Sequence, residues 1–151
     1  MKHVERIERL KRLIKVINKT PDHDFEMGDW GTKTTECGTH ACLLGNAALD
    51  PVCKRQGLKG CWSEVYPEDT AVRVLDITYE TPDGYEYVFS GAGREFFGIT
   101  DAETRRLFLS HLRLKGKAAK DKKRAQVKVI LEKYERLYKK EAAKAAKNLE
   151  I

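Results

Sequence analysis

The cysteines and histidines are the residues of this chain whose types could perform chemistry. Four cysteines stand at positions 37, 42, 53 and 61, so no pair has the two-residue separation of zinc ribbons and zinc fingers. Cys37, His40 and Cys42 could still supply three zinc ligands, with Cys53 or Cys61 as the fourth. Disulfides are a second interpretation. Free, buried cysteines are a third, favoured because no signal-peptide pattern opens the chain and a reducing cytosol keeps thiols free.

A cysteine enzyme is the sharper alternative. Cys37 comes just before a predicted helix, where backbone N–H groups and the helix dipole would lower the pKa of its thiol. His40 or His111 could act as the general base if the fold brings one of them to that thiol. The competing interpretation is a tight turn at residues 37–39 with the thiol packed against the body.

Two other patterns do not match known ion-binding loops. An EF-hand that began at Asp22 would need glycine at its sixth position and glutamate at its twelfth, where this chain has Met27 and Lys33. Gly91 and Gly93 lack the third glycine and the Lys-Ser/Thr pair of phosphate-binding loops. The sequence therefore predicts no cofactor.

The C-terminal segment is strongly basic. Residues 115–151 carry a net charge of +8, residues 1–20 carry +5, and the middle of the chain carries −7. Lysine dominates the basic segment, which suits contact with phosphates without base reading, or with an acidic partner surface. A solvated helix face, or docking on the acidic middle, would explain the same charge. The candidate binding residues are Lys120, Lys123, Arg124, Lys128, Lys133, Tyr134, Arg136 and Lys140.

Periodicity predicts an α+β fold, mainly helical, in which helices pack with a β-hairpin. Apolar residues recur at spacings of three and four, whereas residues 71–80 alternate and are followed by a Pro-Asp-Gly turn. Residues 21–36 are predicted to be loop, and residues 52–70 irregular. We expect a compact domain over 1–115 and a basic helical tail over 116–151. The predicted elements are helices 2–19, 39–49, 100–112 and 117–149 and a hairpin at 71–90.

Three local patterns refine that prediction. Ala41, Gly45 and Ala48 form a small-residue face that lets another backbone approach closely. Thr100 and Glu103 form a capping box at the start of a helix. The long helix carries an apolar stripe with an eleven-residue repeat. Its 127–138 part is expected to pack on the body or on a second copy, so a homodimer through this helix is one expectation. The remainder should project.

Three segments resemble a loose group of small bacteriophage and bacterial proteins without an established activity. They are FEMGDW at 25–30, CGTHACLLGNA at 37–47, and FFGITDAE at 96–103 running into RLF at 106–108. The group shows a CGTxxCxxGxA motif and a later FFGLTxxE segment. The chain departs from the group at Asn46, where the group carries Trp or His, and its basic tail lies outside the resemblance. The resemblance implies a phage-type accessory protein that works in bacterial cytoplasm.

These observations favour a non-enzymatic binding protein over an enzyme. The expected partner is a host or phage macromolecular complex, engaged in a regulatory, inhibitory or anti-defence role. The basic helix would contact nucleic acid or an acidic partner surface. No apolar run is long enough to cross a membrane. The alternative is a cysteine-dependent enzyme or a zinc-binding module centred on Cys37, His40 and Cys42.

Overall fold

The computed structural model describes residues 1–34, 38–66 and 69–150, and it confirms an α+β, mainly helical fold. A short 3-10 turn at Asp22–Asp24 follows the first helix. The helices are α1 (His3–Lys19), α2 (Leu43–Leu49), α3 (Pro51–Arg55), α4 (Phe89–Phe97), α5 (Asp101–Phe108) and α6 (Gly116–Leu149), and the strands are β1 (Thr32–Thr34), β2 (Gly38–His40), β3 (Lys59–Tyr66), β4 (Asp69–Glu80) and β5 (Glu86–Val88).

The described strands form one antiparallel sheet in the order β2–β1–β4–β3, and β5 pairs with the far end of β4. The predicted hairpin is confirmed, with Thr78 opposite Val88 and Glu80 opposite Glu86. Gly84 adopts a φ of 89° in its turn, a conformation that favours glycine. Leu75, Ile77 and Tyr79 alternate toward the core, where α2 and α4 cover the sheet.

Two sequence predictions for the middle of the chain are wrong. Residues 52–70 are not irregular, because α3 and the long strand β3 lie there, and β3 pairs with β4 along most of its length. The helix predicted over 39–49 starts only at Leu43, because Thr39 pairs with Lys33 in the sheet. A third difference is smaller: residues 32–34, predicted as loop, form β1.

The small-residue face of α2 has the predicted consequence. A Cβ atom added to Gly45 would lie 1.8 Å from the Trp30 carbonyl oxygen, so only glycine permits this approach. A Cβ on Gly60 of β3 would lie 3.1 Å from the Cβ of Ala48. The loop before β1 and the start of β3 therefore pack directly against α2.

The first half of α6 belongs to the hydrophobic core. The buried side chains that it contributes are Ala119, Val127, Ile130, Leu131 and Tyr134. α1 runs antiparallel along one flank of α6, since Thr20 lies beside Lys120 while Arg6 stacks over the Tyr134 ring at 4.7 Å. The apolar stripe therefore packs on the body through Tyr134. Beyond it, Tyr138 is 43% exposed and Leu149 is 88% exposed.

Candidate functional site

α6 carries every candidate binding residue, and the structure divides them into two groups. One group points toward the body and forms internal contacts. The other lies on the solvent side. The helix spans 34 residues, about 51 Å at the α-helical rise. Its anchored first half thus holds its exposed second half as a rigid projection.

Lys120 and Lys123 belong to the internal group. The Lys120 ammonium donates to the Thr20 carbonyl at 2.6 Å and pairs with Asp22 at 3.0 Å. Lys123 is fully buried, and its ammonium donates to the carbonyl oxygens of Arg106 (2.7 Å) and Ser110 (3.2 Å). These carbonyls lie in the last turn of α5 and just after it, so Lys123 contacts groups at the C-terminal end of that helix. Burial lowers the pKa of Lys123 to about 8.

Lys133 and Tyr134 are joined to α5 through one carboxylate. Glu103 accepts the Tyr134 hydroxyl at 2.6 Å and the Lys133 ammonium at 3.0 Å. It also accepts the Thr100 amide at 2.9 Å, which confirms the predicted capping box. Burial opposes the charge on Glu103, but these three donors hold its pKa below the usual range, whereas burial and the carboxylate raise the pKa of Tyr134.

Arg124 lies between the two groups. Its guanidinium donates to the side chain of Asn18 on α1 at 2.7 Å and to Asp121 on its own helix at 2.9 Å. Its side chain is still 26% exposed. Arg124 therefore fastens the edge of α1 to α6 and presents little free charge.

Lys128, Arg136 and Lys140 are the candidates that lie on the solvent side. None of them forms an ion pair or a hydrogen bond within the part of the chain that the structure describes. The same holds for four further exposed lysines that the sequence analysis did not select. These are Lys122, Lys139, Lys144 and Lys147.

Four of these side chains continue the line of Lys133, which pairs with Glu103, and together they form a row, here called the basic ridge. The residues at positions 133, 136, 140, 144 and 147 are all basic, and their spacings of three, four, four and three place them on one face. The row is about 21 Å long and contains no carboxylate. The ridge comprises Lys133, Arg136, Lys140, Lys144 and Lys147.

The opposite side of the projecting segment faces α1. Tyr138 and Glu141 line a cleft of about 300 Å³ with Lys2 and His3, and the His3 imidazole contacts the Glu141 carboxylate at 3.2 Å. The carboxylate of this turn therefore lies away from the basic ridge. Two other carboxylates lie beside the start of the ridge: Glu103 pairs with Lys133, and the exposed Glu132 stands one turn before Arg136.

The structure describes three of the four thiol candidates, Cys42, Cys53 and Cys61. Cys37 lies outside the described residues. Cys42 is buried as the N-cap of α2, its sulfur accepts the Gly45 amide at 3.4 Å, and burial raises the pKa of its thiol to about 11. Burial likewise raises the pKa of Cys53 to about 12. Both thiols are buried in the core, where cysteine packs as a small apolar residue.

The remaining members of the proposed zinc set are Cys61 and His40. Cys61 is exposed on the sheet, opposite Asp76. His40 is half-buried, and its Nδ1 lies 3.0 Å from the His23 carbonyl oxygen. Among the described residues, no group of three or more potential ligands is arranged to hold a metal ion.

His40 instead lines a cleft that sequence reasoning missed. The cleft has a volume of about 400 Å³ and lies where the turn after α1, the end of β2 and the start of α6 meet. Its charged walls carry both signs, with Asp22 and Glu26 against Lys115. Since three distant segments build it, no local pattern could have indicated it.

Asp50 is a second residue whose contacts the sequence did not reveal. Its carboxylate is fully buried and accepts Nε of Arg12 at 2.9 Å and Nη2 of Arg12 at 2.6 Å. It also accepts the Lys19 ammonium and the Cys53 amide. Burial opposes the charge, but these partners hold its pKa far below the usual range. Asp50 therefore caps α3 and locks it to α1, which is a structural role.

Comparisons with known proteins add no relative: no family model, curated protein or solved structure matches the chain. Among the described residues, no helix combines the length and the apolar content that a membrane crossing requires.

Proposed function

We propose that this is a non-enzymatic binding protein whose basic ridge contacts the phosphate backbone of a nucleic acid. The observation that carries the proposal is the row of five basic residues on α6, four of which have no partner among the described residues. A nucleic acid binds such a row because each cation that neutralises a phosphate releases a condensed counterion, which favours binding. Because the first half of α6 packs on the body, the helix holds this row in place before any partner binds.

The composition of the ridge favours backbone contact over base reading. Four of its five members are lysines, which act as point charges and lack the flat, two-pronged geometry with which arginine reads guanine. Affinity should therefore depend strongly on salt and weakly on sequence.

An acidic protein surface is the less favoured partner. Stable protein interfaces centre on buried aromatic or aliphatic anchors, surrounded by a polar rim. The ridge has no such anchor among its five members. A partner protein that bound here would have to be held by exposed ion pairs, each of which contributes only about 0–1 kcal/mol.

The wider role that we propose is that of a phage-type accessory or inhibitory factor that engages a host or phage complex. Its support is the resemblance carried by segments 25–30, 37–47 and 96–108. In that role the body would bind the complex, and the ridge would hold the protein on the nucleic acid that the complex uses.

The test compares full-length variants in fluorescence anisotropy with labelled duplex and single-stranded nucleic acids at low salt. Lys140→Glu/Lys144→Glu should weaken binding at least about tenfold, or about 1.4 kcal/mol. The matched control is Lys11→Glu/Lys15→Glu, which reverses two exposed lysines on α1, across α6 from the ridge. Removing residues 116–151 is not a suitable test, because five core side chains would be lost.

Each outcome bears on the proposal. Weaker binding in the ridge variant alone supports it. Equal losses in both variants would indicate nonspecific attraction to the whole basic surface. No binding by the wild-type protein at low salt would refute the nucleic-acid role and direct attention to an acidic protein partner.

A further inference from the structure

Two exposed leucines lie at the end of α5 and in the turn that follows it. Leu109 caps the helix and is 43% exposed, and Leu112 comes three residues later and is 54% exposed. Three residues of chain span at most about 11 Å, so the two side chains belong to one small region of the surface. The fold buries or packs their apolar neighbours Leu107, Phe108 and Leu114 against the core. These two leucines therefore stay exposed within a segment that is otherwise turned inward.

Internal contacts hold this turn in one conformation. The Leu114 amide donates to the His111 carbonyl at 3.0 Å, which closes a turn over residues 111–114. The buried Lys123 ammonium holds the preceding residue, because it donates to the Ser110 carbonyl at 3.2 Å. Since the turn is ordered by the protein itself, a partner would bind it without the cost of ordering a loop.

The chain around the two leucines carries positive charge without negative charge. No aspartate or glutamate occurs within residues 104–120. Arg105 and Arg106 precede Leu109 by four and three residues, which places them beside it at the end of α5, and Arg113 comes directly after the second leucine. All three arginines are exposed, and none has a side-chain partner among the described residues. We call this region the leucine patch, and it comprises Arg105, Arg106, Leu109, Leu112 and Arg113.

We infer that the leucine patch binds an acidic protein segment that also carries apolar side chains. Protein interfaces combine an apolar centre with a polar rim, and arginine is enriched in them. The planar guanidinium of arginine pairs with a carboxylate through two parallel hydrogen bonds. The leucines supply the apolar contact that the basic ridge lacks, and the three arginines supply the charge complementary to an acidic partner.

This inference rests on the wider role proposed above, in which the body binds a host or phage complex. It does not require that the basic ridge bind a nucleic acid. The two surfaces differ in composition, because lysine dominates the ridge whereas the cations of the leucine patch are all arginine. They therefore suit different partners.

A nucleic acid and a membrane are the less favoured occupants of the leucine patch. A phosphate backbone attracts cations but offers no apolar surface to two exposed leucines. Attachment to an anionic membrane strengthens with the apolar area that is buried, and two leucine side chains supply little of it. An acidic protein segment uses both the leucines and the arginines.

The experiment selects peptides from a random display library with the full-length protein as the target. We expect the selected peptides to carry aspartate or glutamate beside apolar residues. One selected peptide is then synthesised with a fluorescent label, and its affinity for wild type and variants is measured by anisotropy. Leu109→Ser/Leu112→Ser and Arg105→Glu/Arg113→Glu should each weaken its binding at least about tenfold. The changed residues are exposed, and circular dichroism verifies that each variant is folded.

The matched controls change exposed residues of the same types elsewhere. Leu149→Ser removes a leucine that is 88% exposed at the end of α6, and Lys11→Glu/Lys15→Glu reverses two exposed charges on α1. Both controls should bind the peptide within about twofold of wild type. Lys140→Glu/Lys144→Glu, the variant that tests the basic ridge, should also bind it normally.

The outcomes separate this inference from the proposed contact between the ridge and nucleic acid. Loss of peptide binding in both variants of the leucine patch, with the controls unchanged, supports the inference. It is overturned if the library yields no acidic peptide, or if fewer than both patch variants lose binding. It is also overturned if the patch variants lose affinity for duplex DNA or for vesicles that contain phosphatidylserine while they keep the peptide. In each of these cases the effect of Lys140→Glu/Lys144→Glu on nucleic-acid binding still decides the ridge proposal by itself.

Discussion

Replacement of Tyr134 by phenylalanine tests how α6 is held on the body. The variant keeps the ring, its packing and its stacking with Arg6, and it removes only the hydroxyl that donates to Glu103 at 2.6 Å. Hydrogen bonds to charged groups contribute about 1.5–3 kcal/mol. Glu103 keeps the Thr100 amide and Lys133, so we expect the lower part of that range, about 1.5–2 kcal/mol.

The assay is thermal and urea unfolding, followed by circular dichroism, at several pH values. A loss of 1 kcal/mol lowers the Tm of a domain of this size by about 2–4 °C. The lowered pKa of Glu103 means that its charge stabilises the fold above the unfolded value of about 4.3, and that this stabilisation fades as the pH falls. The gap between wild type and Tyr134→Phe should therefore be full at pH 7 and shrink in acid.

Tyr138→Phe is the matched control, because Tyr138 is 43% exposed and has no hydrogen-bond partner among the described residues. It should leave the free energy of unfolding within about 0.5 kcal/mol of wild type. If Tyr134→Phe matches this control, or if its deficit persists unchanged below pH 3, the Glu103 contact does not anchor α6 and the account of the projecting helix is wrong.

Three further predictions concern the body. Asp50→Asn keeps the α3 cap but leaves Arg12 and Lys19 without their carboxylate. It should lower the free energy of unfolding by about 2–3 kcal/mol in urea at pH 7. Because the pKa of Asp50 is lowered, its charge stabilises the fold above about pH 4 and less as the pH falls, so the variant should lose less stability in acid than the wild type. An unchanged loss of stability in acid would contradict this. Gly45→Ala should destabilise by at least about 2 kcal/mol through its clash with the Trp30 carbonyl. Gly91→Ala, also in a helix, would place its Cβ in ordinary contact with Tyr87 at 3.6 Å and should stabilise by up to about 1 kcal/mol. Equal Tm values for the two variants would be inconsistent with the close approach at Gly45. A thiol reagent should label Cys61 quickly and Cys42 and Cys53 only on unfolding, and peptide mapping that finds Cys42 modified first would overturn its assignment as a core residue.

Local patterns predicted those elements whose own periodicity was strong. The capping box at Thr100 and the turn at 81–84 depend on neighbours within four residues, so the sequence contained their full description. Strand β3 was missed because Gly57 and Gly60 interrupt its pattern and only its pairing with β4 defines it. Thr39 shows the same limit, since the sheet, and not a helix cap, determines its conformation.

The sequence could have distinguished only some of the internal candidate binding residues from the exposed ones. Positions 120, 123, 127, 130 and 134 follow one another at spacings of three and four, so the internal direction of Lys120 and Lys123 could have been inferred from the apolar residues that share their face. The two lysines were instead predicted to be binding residues, because a lysine on a helix is usually exposed. The carbonyl oxygens that Lys123 contacts could not have been named from the sequence, since they depend on how α5 packs on α6.

The most direct test of the central claim is the slope of log affinity against log salt for duplex binding by the full-length protein. If the four unpaired cations of the basic ridge, Arg136, Lys140, Lys144 and Lys147, meet phosphates, the slope should be about −3.6, at roughly 0.9 for each phosphate. Lys140→Glu/Lys144→Glu should reduce its magnitude by about 2, while Lys11→Glu/Lys15→Glu should leave it unchanged. A slope that the ridge variant does not alter would show that phosphates bind elsewhere, and the account would fail.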